Sequence, residues 1–152
     1  SEANMLGYFR RPDLTAATIH DGWMWTGDIA CWDEDRYVFI VDRAKDMIIS
    51  GGENIYSIQV EEAIYKHPSV LECAVIGVPD DEWGEAVKAF VVLKPGHAAT
   101  SAEIVATARE NLAGYQKPRS VDFLDALPKA PTGKILKRVL REPFWAERDR
   151  QV

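Results

Sequence analysis

The chain has 152 residues, a formal net charge of -6 at pH 7 and 47% hydrophobic residues. That length holds one ordinary domain with an appendage, and that apolar fraction fits a packed globular core. The acidic balance excludes a protein held on nucleic acid mainly by phosphate contacts, since such a surface is basic overall.

Residues 1–5 have neither the charged and apolar layout of a signal peptide nor a helix start, so the chain is expected to begin inside a domain. From 28 to 41 an apolar segment, the acidic turn Asp33-Glu34-Asp35-Arg36 and the run Tyr37-Val38-Phe39-Ile40-Val41 predict a β-hairpin. Charge from Arg43 to Asp46 breaks that pattern. A strand, Met47-Ile48-Ile49, runs into Ser50-Gly51-Gly52. Ser57 is placed to cap a helix with Val60, Ala63, Ile64 and His67 on one face, and Pro68 to stop it. Two strands, 71–78 and 86–93, follow, each closed by a proline, and Pro95-Gly96 supplies a turn. Thr100-Ser101-Ala102-Glu103 has capping-box spacing for a helix with an Ile104, Val105, Ala108 and Leu112 stripe, ended by Gly114. Val121 and Phe123 alternate with polar neighbours in a short strand, and Leu136, Val139 and Leu140 begin a last helix that Pro143 interrupts. The order predicts a small α/β or α+β domain from about Arg43 onward, preceded by a β-rich remnant; of the two, the expectation is α+β, a mixed sheet flanked by helices.

Cys31 and Cys73 lie far apart with no CxxC or Cys/His pattern, and His20, His67 and His97 lack metal-ligand spacing, so neither a disulfide framework nor a metal site is expected. No apolar run approaches the ~20 residues that span a bilayer, and a cytoplasmic protein is expected. Lys134 ends a loop, Pro128-Lys129-Ala130-Pro131-Thr132-Gly133-Lys134, that two prolines stiffen and one glycine opens. Taken alone it is either a solvated surface lysine or a cation held out from the domain. It is not part of a phosphate-binding P-loop, because Pro128 stands five before Gly133 and Ile135 replaces the required Ser or Thr. Ser50-Gly51-Gly52 reads as a bulge or turn, or as backbone kept bare for a ligand. Thr26-Gly27-Asp28 reads as an Asx-type turn, or as a carboxylate offered to two sugar hydroxyls. Lys117 and Arg119, beside Tyr115, are plain surface charges or a pair of cations suited to a phosphate and an adenine ring.

Order and spacing narrow these choices. Gly22-Trp23, Thr26-Gly27-Asp28, Asp42-Arg43-x-Lys45-Asp46, Ser50-Gly51-Gly52-Glu53-Asn54-Ile55, Val60-Glu61-Glu62 and the run from Pro128 to Lys134 together resemble the carboxy-terminal motifs of the adenylate-forming superfamily. The resemblance covers nearly the whole chain. It implies that residues 1–42 end a large amino-terminal domain and that 43–152 form its mobile lid, with Asp42 as the hinge. It also implies that Asp28 binds both ribose hydroxyls of ATP or acyl-AMP with help from Arg43, and that Lys134 is the catalytic lysine bridging carboxylate and α-phosphate. Ser50, Gly51 and Gly52 resemble the strand-end loop that lines a pantetheine tunnel. Trp83, Tyr115, Lys117 and Arg119 match positions near the CoA nucleotide in some members.

By that resemblance the chain is expected to be the carboxy-terminal part of an AMP-forming acyl-CoA ligase acting on a carboxylic, fatty or otherwise apolar, acid. Its co-substrate would be CoA. ATP and Mg would be bound mainly by the missing amino-terminal domain, which is also the lid's partner, and the chain alone would be inactive. The tail 141–152 resembles that of bacterial acyl-CoA synthetases, with no carrier domain expected after it. The alternatives are a peptide-synthetase adenylation domain delivering to a carrier protein, or a noncatalytic module binding CoA or a partner. Three positions depart from the pattern. Arg36 stands where many members have glycine, Ser57 replaces a common proline, and Met24-Trp25 precedes the Thr-Gly-Asp turn; none removes a functional group.

Overall fold

The computed structural model describes residues 4–146. The segments 1–5 and 141–152, both given readings above, therefore lie partly outside the described residues. Contacts divide the chain into two compact units, Ser1–Arg43 and Ala44–Val152.

In the first unit, Pro12 and Asp13 open α1 (Pro12–Thr18), a proline in the first turn being preset for helix and a carboxylate there complementing the free N–H groups. Two short strands, β1 (Ile19–His20) and β2 (Trp23–Met24), pair antiparallel. The predicted hairpin is present as β3 (Asp28–Trp32) and β4 (Val38–Arg43), with a register shift between Ile29 and Ala30. Arg36 adopts the left-handed conformation, φ 66°, without glycine. Asp33 holds that turn by accepting from Tyr37 N at 2.9 Å through its carboxylate and from Arg36 N at 3.0 Å through its backbone carbonyl. No described residue of this unit is buried.

The second unit starts with a 3-10 turn, Ala44–Asp46, then β5 (Ile48–Ser50), β6 (Glu53–Ile55), α2 (Ser57–Tyr65), β7 (Val70–Asp80) and β8 (Gly84–Leu93). It continues with α3 (Ser101–Arg109), β9 (Ser120–Phe123) and α4 (Lys137–Trp145). The sheet runs β6-β5-β8-β7, all antiparallel, and β9 adds to β8 in parallel, so the sheet is mixed. Alternating side chains on β7 feed two cores. Cys73 and Val75 pack with Val60, Ile64, Ile104 and Ala108 of α2 and α3, while Ala74 and Ile76 pack with Phe90, Leu127 and Leu140 on the α4 side. Helices on both faces explain why the two long strands β7 and β8 are apolar almost throughout instead of alternating.

The capping box forms as its spacing requires: Thr100 Oγ1 accepts from Glu103 N at 3.3 Å, and Thr100 N donates to the Glu103 carboxylate at 2.7 Å. Those backbone and hydroxyl donors hold the Glu103 carboxyl below the usual carboxylate range. Other ends differ from the sequence reading. Tyr56, not Ser57, is the α2 N-cap, and Ser57 is the first helical residue, fully buried. The helix closes at Tyr65, so His67 lies beyond it, and α3 closes at Arg109, before Leu112 and Gly114. Pro79 falls inside β7 and Pro143 inside α4.

Candidate functional site

Lys134 sits at the end of a tight hairpin. Lys129 and Ile135 form an antiparallel bridge, Ala130 N donates to Lys134 O at 2.8 Å, and Leu136 N donates to Pro128 O at 2.8 Å. Gly133, at φ 83°, makes the reversal, and Gly133 N closes on Ala130 O at 2.8 Å. The hairpin feeds directly into α4. Its two flanking lysines are neutralised: Lys129 pairs with Glu72, and Lys137 Nζ lies 2.7 Å from Glu61 Oε1. Lys134 is exposed and makes no ion pair among the described residues. An unneutralised ammonium on a stiff turn is a cation available to an external anion.

Gly51 and Gly52 form the two-residue turn between β5 and β6, with Ser50 opposite Glu53. Their φ values of 61° and 84° are the left-handed pair that a tight hairpin requires, which the double glycine meets without Cβ strain. The ring of Trp83 lies on Gly51: a Cβ added there would stand 2.6 Å from the Trp83 ring, and Gly51 N donates to Trp83 O at 2.8 Å. A Cβ on Gly52 would meet nothing within 4 Å.

Around this turn is a cavity of about 240 Å³ lined by Ser50, Gly51, Glu53, Trp83, Gly114, Tyr115, Lys117 and Arg119. The guanidinium of Arg119 is 5.5 Å from the Trp83 ring centroid and its Nη1 is 3.8 Å from Asp80 Oδ2. Asp80 in turn accepts from Trp83 N at 2.9 Å and Glu82 N at 3.1 Å. The Trp83 amide, more than the neighbouring guanidinium, lowers the Asp80 carboxyl from its ordinary value. Bare backbone, an indole face and two cations thus share one cavity. Ser50, Gly51, Trp83, Tyr115, Lys117 and Arg119, singled out from sequence, meet there; Glu53 and Gly114 were missed, and no charge or spacing signal marked them. Asp80, which orients Trp83, was also missed.

In the first unit Asp28 and Arg43 face each other across the hairpin, with Arg43 Nε 3.2 Å from Asp28 Oδ1. Asp28 N donates to Thr26 Oγ1 at 3.1 Å, and Asp42 Oδ1 accepts from Arg43 N at 2.7 Å. Asp42 is in β4, one residue before the last of the first unit. Among the described residues no group of three or more His, Cys, Asp or Glu is placed to hold a metal ion. No helix of the described residues is long and apolar enough to cross a membrane.

The mixed sheet with helices on both faces, carrying a lysine hairpin, is that of the carboxy-terminal domain of adenylate-forming enzymes. The chain belongs to the AMP-binding enzyme C-terminal domain family, whose profile matches residues 59–134 and so ends on Lys134. Among relatives, a feruloyl-CoA synthase from Amycolatopsis sp. is 52% identical over 140 residues, 92% of this chain and 28% of that protein. A long-chain-fatty-acid–CoA ligase from Bacillus subtilis (strain 168) is 51% identical over 138 residues, 91% of this chain and 25% of that protein. The crystal structure of ATP-bound MatB from Rhodopseudomonas palustris superposes with a TM-score of 0.85 at 40% identity, covering 91% of this chain and 28% of that one. The chain therefore spans little more than a quarter of the length of the relatives it matches.

Proposed function

We propose that the chain is the carboxy-terminal part of an AMP-forming acyl-CoA ligase in which a carboxylate attacks the α-phosphate of ATP, expelling pyrophosphate, and the thiol of CoA then takes the acyl group from the adenylate, expelling AMP. The observation that carries this reading is Lys134, exposed on a hairpin whose flanking lysines, Lys129 and Lys137, are each neutralised by a glutamate. Attack of a carboxylate on an α-phosphate brings two anions together. An ammonium at the developing charge stabilises that transition state by roughly 3 kcal/mol, about the worth of one well-placed donor. Lys134 has the charge and the freedom for it. The thioester step asks for something else: a thiol on a long arm must pass close to backbone, which the Gly51-Gly52 turn leaves bare, while the Lys117 and Arg119 cations and the Trp83 face suit the phosphates and adenine of CoA.

In this reading Asp28, steadied by Arg43, takes the ribose hydroxyls, and Asp42 is the hinge about which the lid turns to present first Lys134 and then the glycine turn. The exposed aromatic run of the first unit, with Trp32 79% and Ile40 69% exposed, is covered by the large amino-terminal domain, which also supplies most of the ATP site and any Mg. A cytoplasmic location accords with ATP and CoA as substrates and with Cys31 and Cys73 as free thiols. A fatty or aromatic acid accords with the relatives' names, feruloyl-CoA synthase and long-chain-fatty-acid–CoA ligase.

The test uses the full-length enzyme. Lys134→Ala is expected to lower acid-dependent ATP–pyrophosphate exchange by about 10²–10³-fold. It should leave thioester formation from supplied acyl-adenylate and CoA within a few-fold of the parent. Equal loss in both half-reactions removes Lys134 from this role.

A further inference from the structure

Because the Lys134 side chain has no ion-pair partner among the described residues, its location is set by the backbone that leads away from the hairpin, and that backbone is α4. Three residues on, Lys137 turns inward instead of out. Its side chain is 17% exposed and Glu61 opposite is 15% exposed, at 2.7 Å. Lys137 Nζ also donates to Ser57 Oγ at 2.7 Å, and Glu61 Oε1 accepts from Val75 N at 2.8 Å. One ion pair therefore joins the first turn of α4 to α2 and to the strand β7. One turn later Arg141 Nη2 donates to Asp46 Oδ1 at 3.0 Å, with 13% and 14% exposure, and Trp145 Nε1 donates to Gly77 O at 3.0 Å.

Apolar packing of Leu140 would suffice to keep α4 on the sheet, but hydrophobic contact is non-directional and tolerates sliding and rotation about the helix axis. A poorly hydrated ion pair costs desolvation and returns direction, since it holds only where its hydrogen bonds are met. Direction matters here because the helix start is the base of the lysine hairpin. We propose that the Lys137–Glu61 ion pair is a positioning device for Lys134: it fixes the axial register of the first turn of α4 against α2 and β7, and so sets where the Lys134 ammonium lies during adenylation. The proposal rests on the reading of Lys134 given above.

The experiment compares Lys137→Met, Glu61→Gln, Lys137→Arg, Lys134→Ala and the double variant Lys134→Ala/Lys137→Met in the full-length enzyme. Each is measured for kcat and KM in ATP–pyrophosphate exchange and for thioester formation from supplied acyl-adenylate and CoA. Displacement of a catalytic group by about 1 Å costs on the order of 10²-fold. Lys137→Met is thus expected to lose roughly 10–100-fold in exchange kcat with KM for ATP and acid little changed. Its thioester half-reaction stays close to parent, which also reports a folded domain. Lys137→Arg restores most of the exchange, and in the Lys134→Ala background Lys137→Met adds no further loss, because the two residues act as one unit.

Unchanged exchange in Lys137→Met, equal loss of both half-reactions, or fully additive losses in the double variant overturns the proposal. Should Lys137→Met not yield folded protein, Glu61→Gln, which keeps shape and removes one charge, decides by the same split. If Lys134→Ala abolishes exchange while Lys137→Met and Glu61→Gln leave it intact, only the positioning role falls. If Lys134→Ala spares exchange, the catalytic reading falls and the positioning role with it.

Discussion

The glycine hairpin at Gly51-Gly52 and the lysine hairpin ending at Lys134 use the same backbone device, a left-handed glycine closing a tight turn, and present opposite chemistry. In the first, the side chains are gone, and an indole packs down on the backbone that remains, with Trp83 over Gly51. In the second, prolines stiffen the turn, neighbouring charges are neutralised, and one cation is left over. In the proposed reading the two hairpins serve two steps with conflicting demands: one needs space beside the main chain, the other a point of positive charge.

The contrast can be broken most severely at Gly51. Gly51→Val puts a β-branched residue at φ 61° and a Cβ 2.6 Å from the Trp83 ring, so both backbone strain and overpacking apply. The expected cost is about 2–4 kcal/mol, read as a lower urea midpoint of the full-length protein. A midpoint equal to parent would mean Trp83 does not rest on that backbone. Next in size is Gly52→Leu. Its Cβ finds open space, so the stability cost is strain alone, on the order of 1 kcal/mol, from φ 84°. If the thiol passes this turn, CoA-dependent turnover of supplied acyl-adenylate should nevertheless fall about tenfold, equivalent to ~1.4 kcal/mol of transition-state stabilisation, with pyrophosphate exchange retained. Survival of that turnover would take the glycine turn out of the thioester step.

The smallest effect is expected far from both hairpins, at the α3 cap. Thr100→Ala removes the hydroxyl that accepts from Glu103 N and should cost about 1 kcal/mol at pH 7, with both half-reactions unchanged. Its pH dependence has a definite sign. The Glu103 carboxyl is held low by the Thr100 backbone N–H and then the hydroxyl. A depressed folded value means the cap's contribution is complete above the ordinary carboxylate range, about pH 4–5, and is lost as pH falls below it through the depressed value. The backbone N–H bond remains in Thr100→Ala, and only the hydroxyl's bond to the carboxylate is both lost and pH-dependent, so urea midpoints of parent and variant should narrow without meeting on acidification. Midpoints that stay parallel to pH 3 would show that the hydroxyl has no part in holding the carboxylate.

Local chemistry made parts of this legible in advance. The capping box of α3 was read correctly because its two partners are three residues apart and need nothing else. The β3–β4 hairpin was read from an apolar segment and an aromatic, β-branched run on either side of an acidic turn. Ser57 misled for the opposite reason: it has the composition of a cap, but it is drawn under Lys137, a partner 80 positions away in sequence, and the cap falls to Tyr56. The strand β9 was read from Val121 and Phe123, but its parallel pairing and the short β6 were not legible, since strand direction and pairing are properties of neighbours the local sequence does not contain. The cavity residues could be singled out one by one through resemblance, but Glu53 and Gly114 enter it only because the chain folds back past Trp83.

By itself, then, the sequence determined the tight turns, the α3 cap and the inventory of charges, because those depend on side chains within a few residues of one another. Tertiary structure alone decided which lysines are neutralised and which one is not. Lys129, Lys134 and Lys137 are indistinguishable by type and lie within one short segment, yet Glu72 and Glu61, from distant strands and helices, take two of them and leave the third. Coulomb interaction at 3 Å separates what composition cannot, since it falls away over distances that only folding sets.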